Sequence, residues 1–174
     1  WENASAYTFP AAASTMLVYS TSASDVNCRI VISGLDAKFN PISEVVILTN
    51  GTTGVSTTRQ FYRINGVLAT DAAYANPVGT IIVGNAAKTA IYGQINAGVG
   101  KSQAAVYTVP ANYTFYLMRV DAYVNEAGGG NNYAHYSVSA ADNVNGTTYI
   151  VLQTPFIGNY NARRVIPFPY TEKT

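Results

Sequence analysis

Turn chemistry interrupts this chain about every ten residues, and no stretch between the interruptions carries a convincing helical period. That punctuation is the tightest constraint on the fold. Residues 30–65 show it best. Apolar runs at 30–33, 43–49 and 60–64 are separated by Ser33-Gly34, Asn40-Pro41 and Asn50-Gly51. Asn-Gly tolerates positive φ at both positions and is a strong tight-turn signal.

Read along the chain, strands are expected at 15–19, 30–33, 43–49, 57–64, 80–83, 88–95, 103–109, 113–124, 133–138 and 147–153. Residues 45–48 are apolar on both faces, which predicts a strand covered on both sides. In 57–64, Tyr62 and Ile64 share one face while Arg59, Phe61 and Arg63 share the other, and the arginine face is expected toward solvent or a partner. Asn65-Gly66 is expected to turn. In 113–124, Tyr116, Met118, Val120, Ala122 and Val124 form an unbroken apolar face. The expected fold is an all-β antiparallel sandwich, jelly-roll-like, of about ten short strands. An N-terminal arm covers 1–14, one body 15–153, and an extended arm 154–174, where Pro155, Pro167 and Pro169 oppose a central strand.

A chain of 174 residues can bury a sizeable core. Only 11% of its residues are charged and the net charge is +1, so nothing favours nucleic acid or an anionic membrane as partner. Fourteen tyrosines on a neutral polar background suit extensive protein contact. No apolar run reaches the ~18 residues of a membrane helix. No signal peptide is visible, and a start at Trp1 rather than Met leads us to expect a segment upstream.

Catalytic chemistry fails for want of parts. His135 is the one histidine and Cys28 the one cysteine, too few for a closed zinc site or a persuasive triad. Cys28 reads as a small buried hydrophobe. Gly98-Val99-Gly100-Lys101-Ser102 looks like the end of a phosphate loop, but the glycine that should precede it is Ile95 and no helix follows. It reads as a turn with an exposed lysine. Asp36 with Asn40, and Asp142 with Asn143 and Asn145, could offer oxygens to calcium, yet neither completes a binding loop and both read as turn residues. Asn3, Asn50, Asn112 and Asn145 stand in glycosylation sequons, which an Asn- and Thr-rich chain produces by chance. No cofactor and no metal are expected. One echo stands out: Tyr7-Thr8-Phe9-Pro10-Ala11 and Tyr107-Thr108-Val109-Pro110-Ala111.

Several blocks resemble a family of virion structural proteins of tailed bacteriophages, especially short-tailed phages of marine bacteria. They are Tyr7-Thr8-Phe9-Pro10, Gly34-Leu35-Asp36, Ile42-Ser43-Glu44, Asn50-Gly51-Thr52-Thr53 with Val55, and Phe61-Tyr62-Arg63-Ile64-Asn65. Gly98 to Gln103, Tyr107 to Ala111 and Tyr116-Leu117 match as well. The chain departs at Asn27-Cys28-Arg29, where the family has a longer glycine-rich approach, and at Ala111-Asn112-Tyr113-Thr114, where it often has Ala-Gly-Lys-Thr. The resemblance implies a non-enzymatic virion component. The leading expectation is a capsid decoration or cement protein on the capsid surface. Its partners would be the major capsid protein or other virion proteins, and it would form a homo-oligomer such as a trimer. Trp1, Tyr7 and Phe9 in front and Arg163, Arg164, Phe168 and Tyr170 behind would make the contacts. The alternative is a tail-fibre or receptor-binding module that reads host glycan through Tyr133, His135 and Tyr136. A cell-surface polymer hydrolase and a pilus-like adhesin are weaker readings.

Overall fold

Strand β1 (Ser14–Ser20) shows how the sequence builds this fold: alternation sends Met16 and Val18 inward and leaves Thr15 in solvent. The same rule lays down β2 (Arg29–Leu35), β3 (Pro41–Ile47), β4 (Val55–Phe61), β5 (Arg63–Ala69), β6 (Ile81–Gly84) and β7 (Ile91–Ile95). Four more strands follow: β8 (Arg119–Tyr123), β9 (Asn132–Ala141), β10 (Thr148–Gly158) and β11 (Arg163–Pro167). The structure, a computed structural model, describes residues 8–70, 76–123, 132–142, 148–158 and 163–167. Among them there is no helix, and every strand pairing is antiparallel. The chain is all-β, as its punctuation requires.

Contacts divide it into two compact units, Trp1–Tyr113 and Thr114–Thr174. The sequence reading placed one body over 15–153. Between β7 and β8, residues 102–118 join no ladder, and only Lys101 just before them makes an isolated bridge, with Leu68. The strand expected at 103–109 is therefore absent, and the long strand expected at 113–124 shrinks to β8. Tyr116 and Met118, expected on a covered face, are exposed instead.

The first unit is a sandwich. A four-stranded sheet ordered β4-β1-β6-β7 shares one core with a three-stranded sheet ordered β3-β2-β5. Met16, Val18, Phe61, Ile81, Val83 and Ile95 come from the first sheet; Ile30, Ile32, Val46, Ile64 and Val67 come from the second. Each such side chain contributes roughly 1.5–3 kcal/mol by leaving water. Cys28 lies in this core, fully buried. Val45 and Ile47 are 45% and 47% exposed, so residues 45–48 are covered on one side only.

The expected strand 57–64 breaks at Tyr62, whose amide donates to Leu35 O. Phe61, Arg63 and Ile64 are all buried, and no straight strand of period two can bury all three. The chain turns a corner there and passes from one sheet to the other. Gly34 packs beneath that corner: a Cβ on it would stand 2.1 Å from Arg63 O. Asn65-Gly66 does not turn. Ser33 pairs with Gly66 and Gly34 with Ile64, which leaves Asn65 as a bulge inside β5.

In the second unit, β9 pairs with β10 and β8 with β11, each a two-stranded sheet. Residues 154–158 and 163–167, expected in an extended arm, are strands. Pro155 sits opposite His135 in β10. A two-stranded sheet has only edges, and there a proline can be tolerated.

Candidate functional site

Closing a sandwich leaves two seams where the outer strands of its sheets meet. At the first, β3 meets β4. Glu44 reaches from β3 and accepts hydrogen bonds from Thr58 N at 2.8 Å, Thr58 Oγ1 at 3.0 Å and Arg59 N at 2.8 Å. Partial burial pushes its carboxyl up, but these donors and the Arg59 charge outweigh burial and hold it below its ordinary value. Two edge amides that could recruit another strand are thus occupied.

At the second seam, β5 meets β7. The approach is close, since a Cβ on Gly93 would lie 2.8 Å from Val67 Cγ2. A dimple of about 10 Å³ marks it, lined in part by Asn65, Tyr92, Gly93 and Ser102. It has room for about one water molecule and none for a ligand. The bulge aims Asn65 at the segment beyond Lys101. Its Nδ2 donates to Thr108 O at 2.9 Å and its Oδ1 accepts from Thr108 N at 2.8 Å, as a neighbouring strand would. Ser102 N to Val67 O and Ala69 N to Gly100 O continue the cover.

An arginine–aromatic cluster sits beside this seam. Arg63 is only 6% exposed. Its guanidinium lies 3.9 Å from the Tyr62 ring centre, 4.5 Å from Phe9 and 5.7 Å from Phe39, and its Nη1 donates to Tyr62 O at 2.8 Å. Aromatic faces stabilise a desolvated cation by up to ~2 kcal/mol. Phe39 meets Tyr62 edge to face at 5.5 Å. It occupies a left-handed conformation, φ 60°, which a bulky residue adopts only when held. Asp36 holds it: Oδ1 accepts from Lys38 N at 2.8 Å and Asn40 N at 2.9 Å, and Oδ2 accepts from Asn40 Nδ2. The Asn40 amide leads in keeping the Asp36 carboxyl below its ordinary value. The Asp36 oxygens weighed as calcium ligands are thus engaged by donors of their own loop.

Of the expected contact residues, Phe9 falls in this cluster, 41% exposed. Arg163 and Arg164 lie in β11 opposite Tyr123 and Ala122. Trp1, Tyr7, Phe168 and Tyr170 lie outside the described residues, as do Asn143 and Asn145. Sequence reasoning missed Arg63, Phe39, Asn65 and Thr108. No local signal marks them: Arg59, two residues before Phe61, is exposed, while Arg63 is buried only because the chain turns at Tyr62. Tyr133, His135 and Tyr136 occupy β9 positions opposite Ile157, Pro155 and Thr154.

Catalytic material is scarce. Among the described residues no three His, Cys, Asp or Glu side chains gather to hold a metal. Among the described residues no helix is long and apolar enough to cross a membrane. Asp25 is fully buried and accepts from Ser20 Oγ, Val78 N at 2.8 Å and Gly79 N at 2.9 Å, the pattern of a structural pin. Lys101 is exposed and bridges Leu68 just past a turn in which Gly98 takes φ 73°. What the fold defines is an antiparallel β-sandwich followed by paired ribbons, with an aromatic cluster at one seam. Comparison with protein-family models, curated proteins and solved structures finds no match.

Proposed function

We propose that this chain is a non-enzymatic virion structural protein, a capsid decoration or cement protein that binds and stabilises the shell. One observation carries the reading. Tyr107, Tyr113, Phe115, Tyr116 and Met118 are each more than half exposed, outside any ladder, with Met118 at 73%. Tyrosine, phenylalanine and methionine are enriched at protein interfaces, and their burial there is strongly favourable. The low charge of the chain and the occupied edge at Glu44 fit the same role: a subunit that makes chosen contacts without open-ended strand pairing.

Cryo-electron microscopy of particles that carry the chain tests this. Density repeating over the capsid lattice is the expected result. Density confined to the tail or fibres would move the chain to a receptor-binding role, and particles without it would remove the virion reading altogether.

A further inference from the structure

Two anchors hold the chain shortly before the first unit ends at Tyr113. Asn65 clamps Thr108 with two bonds, and three residues later Ala111 N donates to Phe39 O at 2.9 Å. A turn follows at once: Asn112 takes φ 65°, and Tyr113 N donates to Pro110 O at 3.2 Å. Next come Tyr113, Phe115, Tyr116 and Met118, all more than half exposed. The second anchor therefore fixes the point from which the exposed aromatic stretch sets out.

That anchor is built on a strained residue. Phe39 supplies the accepting carbonyl from the left-handed region, at φ 60°. Backbone dihedrals decide where a carbonyl points, and an unrestrained phenylalanine returns to negative φ. Its ring rests on Tyr62 and beside Arg63, but its backbone is held by Asp36. One carboxylate oxygen accepts from Lys38 N at 2.8 Å and from Asn40 N at 2.9 Å, the amides on either side of Phe39. Phe39 N itself donates to Asp36 O at 3.0 Å, and Asp36 N to Asn40 O at 3.0 Å.

We infer that the Asp36 carboxylate is a latch for the exposed aromatic stretch: charged, it keeps Phe39 in position to anchor Ala111, and on taking up a proton it releases that anchor. The use of such a latch rests on the contact role proposed above; its mechanism does not. Protonation removes the charge that attracts the two amides and turns an acceptor oxygen into a donor. Few charges surround it. Lys38 on the same loop favours the carboxylate. Arg63 of β5 stands beyond the Phe39 ring, Glu44 of β3 is engaged by Thr58 and Arg59, and residues 102–118 carry no charge. The Asn40 bonds, and after them those of Lys38, hold the carboxyl below its ordinary 3.8. The latch is therefore fully closed above that value and opens as pH falls through the lower folded-state value.

Amide hydrogen exchange on the purified full-length chain tests this, read as protection relative to the intrinsic rate at each pH. Asp36→Ala should lower protection at Ala111 about tenfold at neutral pH. The amides of Thr108 and Leu48, which donate to Asn65 Oδ1 and Cys28 O, should keep theirs. Wild type should lose protection at Ala111 in acid by a similar factor. Asp36→Asn retains an oxygen for the Lys38 and Asn40 amides but cannot titrate, so it should restore part of the protection and hold it level through the acid range. Unchanged protection at Ala111 in Asp36→Ala overturns the coupling. Equal losses at Thr108 and Leu48 overturn the latch and make Asp36 a general stabiliser. The same acid loss in Asp36→Asn as in wild type assigns the titration to another group and overturns the proposal. If Asp36→Ala does not fold, the pH profile of Asp36→Asn decides alone. A failed latch leaves the virion reading standing, and absence from particles leaves the latch standing.

Discussion

The two seams of the sandwich solve one problem by different means. Between β3 and β4 a single carboxylate spans the gap and takes three donors. Between β5 and β7 the closure is spread over an amide side chain, a mid-chain segment, a buried arginine and a terminal arm. The first is compact and depends on ionisation. The second is distributed, so that no single substitution removes all of its contacts.

Substitution at the corner should break both seams together. Phe61→Ala removes a fully buried ring where the chain changes sheets and should cost about 3–5 kcal/mol in chemical denaturation. Gly34→Ala should follow at about 3 kcal/mol, because the obstacle is the Arg63 backbone and cannot swing aside. A loss below 1 kcal/mol for either would mean that the corner is not shared. Asn65→Ala should touch one seam alone. It leaves buried Thr108 without its two bonds, costs about 1–3 kcal/mol, and should speed amide exchange at Thr108 while Thr58 stays protected.

Glu44→Gln should be milder, about 1 kcal/mol, and its effect should depend on pH. Glu44 and Asp36 both lie below their ordinary values of 4.5 and 3.8. A depressed carboxylate contributes fully above its ordinary value and loses that contribution as pH falls through the folded value. Wild type and Glu44→Gln should therefore differ in urea midpoint near neutral pH and converge as pH falls through the lowered folded-state value of Glu44. A difference that persists in acid would show that the bonds survive protonation. Smallest of all, Thr8→Val should change stability by no more than about 0.5–1 kcal/mol, as one exposed hydroxyl bond allows.

Much of the fold was legible. Nine of the ten expected strands overlap observed ones, although 57–64 runs across the break between β4 and β5 and 113–124 keeps only β8; alternation and turn residues are local signals. The failures share a cause. The break at Tyr62, the bulge at Asn65 and the lack of ladder pairing over 102–118 are all matters of what lies across the sandwich, which a local pattern cannot express. Arg63 was misplaced because charge was taken as a sign of exposure, whereas three rings and a carbonyl bury it. The phosphate-like glycine run was read correctly as a turn, since the helix required after it had no periodic support.

Strand β1 occupies the middle of its sheet, between β4 and β6. Its residue Ser20 pairs with Ile81. During synthesis β1 must therefore wait about forty residues for β4 and about sixty for β6. Meanwhile the hairpin of β2 and β3 can form at once. Long-range pairing of this kind folds slowly, in milliseconds to seconds. Until β4 and then β6 have appeared, the apolar side of β1, with Met16 and Val18, lacks one or both of its neighbours. Crowded expression should then yield aggregates seeded by the amino-terminal strand, and slower translation or lower temperature should recover soluble chain.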